Sequence, residues 1–297
     1  PALIGDDNLP FENAGVLKTT GFELQAKWSD KLSNGFAYSV GVALSDDKAE
    51  VLSYPSNPTN KIGDGVLYKG YTVGDIWGYE TGGILQESDF DGVGPNGKPL
   101  YHGAYFKGGQ PYPGYVWYQD LDHDGVITSG LSTVDDPGDK KVIGNNAPRY
   151  RYNITANFQY KGFDLDLMFQ GVGKRDYWLK DVSSYWGGGA GSWETYNQSW
   201  TPERTDAKFP MYGSGIGSYA QSGYLLDASY IKLKQVILGY TFPKALIGKV
   251  GLKKLRLNIA AYNLFTLSDV PKYYDSDYLS DAYPPKRTFS VGIQVGF

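Results

Sequence analysis

A short acidic segment, DLDHDGVIT beginning at Asp120, carries the clearest chemical pattern in the sequence. Asp120, Asp122 and Asp124 alternate along it. Gly125 follows at the place where a tight turn is needed, and Val126 would offer a backbone carbonyl at the next position of an EF-hand-like loop. Alternating carboxylates on a tight loop are the oxygen ligands that a hard cation prefers. The segment therefore predicts a structural Ca²⁺ site.

The ligands that would complete this site are less well defined. The twelfth position of the loop is Leu131 instead of the bidentate Glu of an EF-hand, so a true EF-hand is excluded. Asp136 and Asp139, in the following DDPGD segment, are candidates for closing the coordination shell. The alternatives are Mg²⁺ or another ion, or an Asx-rich surface turn whose carboxylates are simply solvated.

The rest of the composition argues against catalysis and against nucleic-acid binding. The sequence has no Cys and 2 His, which excludes disulfides, thiol catalysis and Cys-ligated zinc. Asp164 and Asp166 lie two residues apart with no nucleophile constellation nearby, so they do not form an acid/base pair. The net charge of −4 does not suit a nucleic-acid partner. We therefore expect a protein that is not an enzyme.

The elements that must position the acidic segment are β-strands. Apolar and polar residues alternate with a period of two, which is the pattern of a strand, in seven segments. These lie near residues 17–28, 35–46, 149–160, 162–172, 229–241, 252–265 and 287–297. Their apolar faces carry no charge, whereas the opposite faces include Arg149, Asp164 and Arg256. Near Lys234 and Gln235 the alternation slips, which predicts a β-bulge.

Short and long connections alternate between these segments. The short turns are residues 29–34, 161–162 and 242–251. The long loops are residues 47–148, 173–228 and 266–286. Aromatic residues such as Trp28 and Tyr160 lie next to short turns, while Tyr150 and Phe289 lie towards the long loops, with aliphatic residues between. Long strands, loops of unequal length and two aromatic girdles indicate an all-β, antiparallel transmembrane β-barrel.

The order of several longer segments resembles a known family. They are NAGVLKTTGFELQAKW, GYTVGDIWGYETGGILQ, YQDLDHDGVIT, ASYIKLKQVILGYTFP and YPPKRTFSVGIQVGF. In this order they resemble the C-terminal barrel region of the SusC/RagA-like TonB-dependent outer-membrane transporters of Bacteroidetes. The resemblance implies about the last third of a plugged barrel of about 22 strands. It also implies that residues 1–297 hold only barrel, with the plug domain and TonB box outside this chain.

The resemblance implies a function as well as a fold. It implies TonB-driven import of large nutrients across the bacterial outer membrane, where the strands contact lipid. A SusD-like surface lipoprotein would act as a lid, and the TonB complex would be contacted through parts outside this chain. Family members take up glycans more often than oligopeptides. The alternatives are a secreted, calcium-dependent, glycan-binding β-sandwich and a passive porin-like channel.

Two further features carry functional expectations. Tyr185, Trp186, Trp193 and Tyr196 lie in loop 173–228, and exposed aromatic rings suit stacking on sugars or peptide side chains. The alternative is that they pack the loop against its neighbours or against the lid lipoprotein. The chain ends on Phe297, which resembles the C-terminal signal read by the barrel-assembly machinery. That resemblance implies a last strand running towards the periplasm and long loops outside the cell.

Overall fold

The computed structural model describes residues 15–178, 196–214, 219–270, 274–279 and 285–297. Its strands are β1 (Val16–Lys31), β2 (Ala37–Ser53), β3 (Asp75–Tyr79), β4 (Thr81–Ile84), β5 (Phe90–Val93), β6 (Pro99–Tyr101), β7 (Tyr105–Phe106), β8 (Val116–Tyr118), β9 (Val126–Ile127), β10 (Lys140–Asn145), β11 (Arg149–Tyr160), β12 (Phe163–Lys174), β13 (Asp176–Tyr177), β14 (Leu226–Asp227), β15 (Tyr230–Thr241), β16 (Lys254–Leu267) and β17 (Thr288–Gly296). Short helical turns occur at Glu87–Asp89, Ser222–Tyr224, Lys244–Ile247 and Gly248–Val250.

No helix in the described part of the chain is both long enough and apolar enough to span a membrane. The chain divides into two compact units. We call them the sheet unit, which comprises Gly21–Asp47, Asn146–Tyr177 and Leu226–Phe297, and the loop unit, which is built mainly from residues 48–145 and 196–225.

The long strands form one seven-stranded sheet in the order β1-β2-β11-β12-β15-β16-β17. Each predicted segment overlaps one of these strands, although β1 and β2 are 16 and 17 residues long and extend beyond the predicted ends. β2 therefore continues into the predicted loop 47–148. In the described residues every other sheet has two strands, so no second large sheet is available to form a β-sandwich.

One face of the seven-stranded sheet is an uncovered apolar surface. Because side chains alternate across a strand, residues in register on neighbouring strands share a face. One apolar row crosses six strands at Tyr38, Phe158, Leu165, Leu238, Ile259 and Val291. Leu238 is 47% exposed, Ile259 57% and Val291 81%. Contiguous exposure of large aliphatic side chains marks a surface that contacts lipid or another protein.

The aromatic residues at the short-turn end of the sheet contact one another. The ring of Phe36 lies 6.2 Å from that of Phe158. On the next hairpin, the ring centroids of Phe163 and Tyr240 are 4.5 Å apart. A belt of aromatic rings at one level of the strands is typical of a membrane–water interface, where the ring is apolar and its edge is polar.

The opposite face of the sheet is polar and internally paired. The Ser39 hydroxyl donates to Asn157 at 2.9 Å, and the Asn157 amide donates to Asp166. Arg256 forms an ion pair with Asp164, which lies two strands away. These bonds connect side chains on different strands, so polar groups on this face satisfy one another.

The predicted β-bulge is confirmed in β15. Leu233 pairs with Phe169 and Gln235 pairs with Met168, which leaves Lys234 as the extra residue. The bulge turns Lys232 and Gln235 to the same face, although they are three residues apart. It therefore explains why the apolar alternation slips at this point of the sequence.

The loop unit has ordered structure of its own, where the sequence predicts only a long loop. Two-stranded sheets pair β3 with β10, β4 with β8 and β5 with β6, while β7 and β9 pair in parallel. Tyr79, Tyr118 and Ile127 form a small buried cluster against which Phe106 packs. This cluster lies directly behind the acidic segment, because Ile127 belongs to β9 at the end of that segment.

The Asp164–Arg256 ion pair predicts that a side chain added at Gly239 lowers stability. The two side chains meet over Gly239, and a Cβ at that position would collide with the Arg256 guanidinium and the Asp164 carboxylate. We expect Gly239→Ala to displace the ends of both side chains, to weaken the pair and to lower the free energy of unfolding of the full-length protein by up to about 1 kcal/mol. Thermal melting in detergent measures this loss.

Gly248→Ala is the matched control, because a Cβ there meets no atom within 4 Å. Equal melting temperatures for the two variants would show that the ion pair does not depend on a glycine between its partners.

Candidate functional site

The structure brings three of the predicted metal ligands together. Carboxylate oxygens of Asp120, Asp122 and Asp124 lie within 4.8 Å of one another. The segment is anchored at its end by Ile127, which is 1% exposed. The three carboxylates are therefore presented at the surface by a backbone that a buried side chain holds in place.

Hydrogen bonds within the segment fix its shape. The Asp120 carboxylate accepts the backbone N–H groups of His123 at 2.7 Å and Gly125 at 2.8 Å. Asp124 accepts the N–H of Val126 at 2.8 Å. Gly125 has φ +84°, in the left-handed region that favours glycine. Local hydrogen bonds thus help to hold the carboxylates of the loop close together.

The electrostatics of the cluster differ between its members. Desolvation, together with the charges of Asp139, Asp124 and Asp120, raises the pKa of Asp122. Desolvation also acts on Asp120, but backbone N–H donors outweigh it and lower the pKa of that carboxyl. Like charges held this close repel one another. A bound cation would relieve that repulsion, so the donor set fits a hard divalent ion.

Two other predicted ligands lie in different settings. Asp139 is fully buried, and its two oxygens accept the N–H groups of Leu121 and Thr128, each at 2.7 Å. It therefore joins the beginning of the acidic segment to its end. Asp136 packs beside Gly130 and does not belong to the group of three close carboxylates. The role of both residues, and of the Val126 carbonyl, as ligands stays a prediction.

Of the four predicted aromatic contacts, three cannot be placed. Tyr185, Trp186 and Trp193 lie outside the described residues. Tyr196 is 53% exposed, and its ring lies edge-on to Tyr212 at 6.3 Å. Exposure of this ring is compatible with substrate stacking, which stays a prediction.

A second constellation, which the sequence analysis did not single out, lies on the sheet unit. Lys232 is 1% exposed, and its ammonium contacts both oxygens of Asp275 at 2.9 Å. It also contacts Asp277 at 3.1 Å, and Lys234 contacts Asp277 at 3.3 Å. A buried ammonium requires such partners because desolvation of an unpaired charge is costly.

The segment that carries these carboxylates, residues 274–279, is held by further bonds. The Tyr230 hydroxyl donates to Asp277, and the Tyr177 hydroxyl donates to the Leu279 carbonyl. Leu279 is buried with Ala228 and Val270. Although desolvation opposes it, hydrogen bonding from Tyr230 and Lys232 lowers the pKa of Asp277. Its stabilising contribution is therefore present above the ordinary Asp pKa of about 3.9 and is lost only in stronger acid.

A cavity of about 740 Å³ lies beside this ionic cluster, on the sheet unit. Its wall includes Gln25, Arg151, Asn153, Arg175 and Asp277. The volume falls within the range of about 300 to 1,000 Å³ that is usual for small-molecule sites.

The floor of this cavity is shaped by a glycine. The Tyr152 side chain crosses over Gly171, and its hydroxyl donates to the Tyr230 carbonyl at 3.2 Å. A Cβ at Gly171 would collide with the Tyr152 ring. Amide, guanidinium and phenol side chains, among them those of Asn153, Arg175 and Tyr230, line the cavity.

Comparisons with known proteins identify relatives along nearly the whole chain. No family model matches the sequence. TonB-dependent receptor P3 of Formosa agariphila is 27% identical over 314 residues, which cover 96% of this chain and 29% of that receptor. TonB-dependent receptor P26 of the same organism is 24% identical, covering 98% of this chain and 30% of that receptor. The chain is a homologue of TonB-dependent receptors. It spans about 30% of the length of these curated relatives.

Solved structures show the same fold. The structure of the RagAB peptide transporter superposes with a TM-score of 0.71 at 17% identity, covering 96% of this chain and 30% of that one. The RagAB peptide importer in its closed-closed state gives a TM-score of 0.68 at 18% identity, with the same shares covered. The resemblance to this family and the antiparallel β fold class are therefore confirmed, with the chain corresponding to part of the receptor barrel. The curated relatives are named as TonB-dependent receptors.

The acidic segment predicts a calcium response. We expect Ca²⁺ to raise the melting temperature of the full-length receptor homologue above its value in chelator. Asp122→Asn should weaken this response at least about tenfold in Ca²⁺ concentration, because it removes one charged ligand while sparing the Asp120 bonds that shape the loop. A calcium titration of thermal melting measures both effects.

Asp91→Asn is the control for this experiment, because Asp91 is an exposed carboxylate of the loop unit outside the cluster. Identical melting with chelator and with Ca²⁺ would assign the segment to a solvated surface turn.

The buried ammonium of Lys232 predicts a large loss of stability when this side chain is replaced by an uncharged one. Lys232→Met leaves Asp275 without the ammonium that contacts both of its oxygens and removes one of the two lysines at Asp277. Breaking a buried pair on one side typically costs about 3 to 5 kcal/mol. We expect a lower melting temperature and faster proteolysis within residues 274–279.

Lys253→Met serves as the matched control, because Lys253 is exposed and forms no ion pair within the described residues. A Lys232 variant that melts and is cleaved like this control would show that the cluster does not hold the segment.

Proposed function

We propose that the chain is part of the barrel of a TonB-dependent importer of large nutrients in the bacterial outer membrane. The observation that carries the proposal is the two-faced sheet. Its apolar face is uncovered, with Val291 81% exposed, while its polar face is laced with hydrogen bonds and ion pairs. A lipid-facing exterior and a polar interior are the two sides of an outer-membrane barrel wall.

The proposal includes partners that lie outside this chain. The plug domain and the rest of the barrel would close the wall, and the TonB complex would act through those parts. A SusD-like lipoprotein would cover the extracellular side of the barrel. The likeness to RagAB structures and to receptors of this class supports this arrangement. In this proposal Tyr185, Trp186, Trp193 and Tyr196 of loop 173–228 would contact the substrate or the lid.

The proposed substrates are glycans first and oligopeptides second. Glycans are the commoner substrates of the family that the sequence resembles. Oligopeptides are included because the solved structures that share the fold are of a peptide transporter. Large polar nutrients of either kind need a wide polar lumen, and the hydrogen-bonded face of the sheet supplies one wall of it.

Phe297 follows β17 and is 83% exposed at the end of the apolar face. Its role as an assembly signal stays a prediction.

Uptake measurements test the proposed function. We expect the full-length protein to fractionate with the outer membrane and to support uptake of its nutrient only while TonB is present and the inner membrane is energised. The nutrient is found by growth of wild-type and deletion strains on a panel of glycans and oligopeptides. Uptake that continues unchanged without TonB would favour a passive channel, and recovery of the protein in the soluble fraction would exclude the membrane proposal.

A further inference from the structure

Among the cations of the described residues that line or adjoin the cavity on the sheet unit, Arg151, Lys232 and Lys234 are paired with carboxylates, whereas Arg175 is not. Arg151 forms an ion pair with Asp47. Lys232 and Lys234 are matched by two carboxylates, those of Asp275 and Asp277. Each of these cations therefore has its charge offset by an adjacent anion.

Arg175 is the exception. It is partly buried on the cavity wall, and desolvation lowers the pKa of its guanidinium. Its Nε donates to the Asn146 carbonyl at 3.0 Å, and Nη1 donates to the Asp277 carbonyl at 3.4 Å. Both acceptors are neutral, and within the described residues no ion pair includes Arg175. A guanidinium has five N–H donors, so three of them stay available.

No carboxylate forms an ion pair with Arg175 within the described residues, although the charge of Asp277 favours the charged guanidinium. Asp277 contributes its backbone carbonyl to Arg175 but commits its carboxylate to Lys232, Lys234 and Tyr230. Glu23 also lines the cavity, but it belongs to β1, three strands away from the end of β12 that Arg175 follows. Within the described residues Glu23 forms no ion pair with Arg175.

We propose that this cavity binds a carboxylate of an organic ligand and that Arg175 is its anion-binding group. A guanidinium matches a carboxylate through two parallel N–H···O bonds, which gives orientation as well as affinity. Gln25 and Asn153 line the same cavity, and their amides supply donors and acceptors for the rest of the ligand. The inference rests on the proposed import function only in that the ligand would be part of an imported nutrient.

Two sources supply this chemistry. One is the free C-terminus of an oligopeptide, and the other is an acidic sugar of an oligosaccharide. Both place a carboxylate next to groups that form hydrogen bonds. The proposal concerns the carboxylate that they share, and paired probes separate the two sources.

Binding to the purified full-length receptor homologue in detergent tests the proposal. The probes are tetra-alanine with a free C-terminus, tetra-alanine amide, tri-galacturonate and its methyl ester, and calorimetry measures the affinities. We expect one of the two charged probes to bind and its neutral counterpart to bind at least tenfold more weakly. Arg175→Gln should weaken the charged probe by at least about tenfold and leave the neutral probe unchanged, because a charged hydrogen-bonded pair contributes about that much.

Two further variants keep the test specific. Arg175→Lys retains the charge and should lose less affinity than Arg175→Gln. Arg204→Gln is the matched control, because Arg204 also donates to backbone carbonyls, including Ser199 at 3.0 Å, and lines no part of this cavity. We expect it to bind as the wild type does.

The outcomes decide the proposal independently of import. Failure of every probe to bind, or an equal loss of charged and neutral probes in Arg175→Gln, overturns it. A carboxylate from another part of the full-length receptor that pairs with Arg175 would produce the first of these results. If the protein binds the charged probe selectively but takes up its nutrient without TonB, the carboxylate-binding proposal is supported and the proposed TonB-dependent import is contradicted.

Discussion

The alternation of side chains along antiparallel strands is the constraint on which the rest of this structure depends. Because side chains alternate with a period of two, each strand places one set of residues on each face of the sheet. Pairing in register then aligns those sets, so that Leu165, Leu238 and Ile259 lie side by side. A shift of one residue would exchange the apolar and polar faces of a whole strand. The register is therefore set by the need to keep charge away from the apolar face.

The same constraint determines where irregularities occur. The bulge at Lys234 changes the phase of β15 close to the end from which the long loops leave the sheet. On one side of the bulge the strand follows the regular apolar rows. On the other side Lys232 belongs to the ionic cluster, and Tyr230 contacts that cluster and lines the cavity. The extra residue Lys234 thus separates the part of β15 that belongs to the regular sheet from the part that contributes to the ionic cluster and the cavity.

The sequence reveals the strands and the acidic cluster because both are local patterns. Alternation is visible within ten residues, and Asp120, Asp122 and Asp124 meet within one turn. The ion pair of Lys232 with Asp275 joins residues 43 positions apart, and no local signal links them. The role of Asp139 as a bridge between Leu121 and Thr128 depends on complete burial, which composition does not reveal. The sequence does not reveal the ordered strands of the loop unit, because each of them has only two to six residues.

The two polar sites differ in how their charge is balanced, and this difference follows from their burial. The carboxylates of the acidic segment are repelled by one another but stay close to water, which screens the repulsion and permits an empty or an occupied state. Lys232 has no access to water, so its carboxylate partners must come from the protein itself. Arg175 lies between these limits, at the wall of a cavity that water or a ligand can enter. Its two backbone carbonyl partners orient the guanidinium but do not neutralise its charge. That charge is therefore available to a ligand in the cavity.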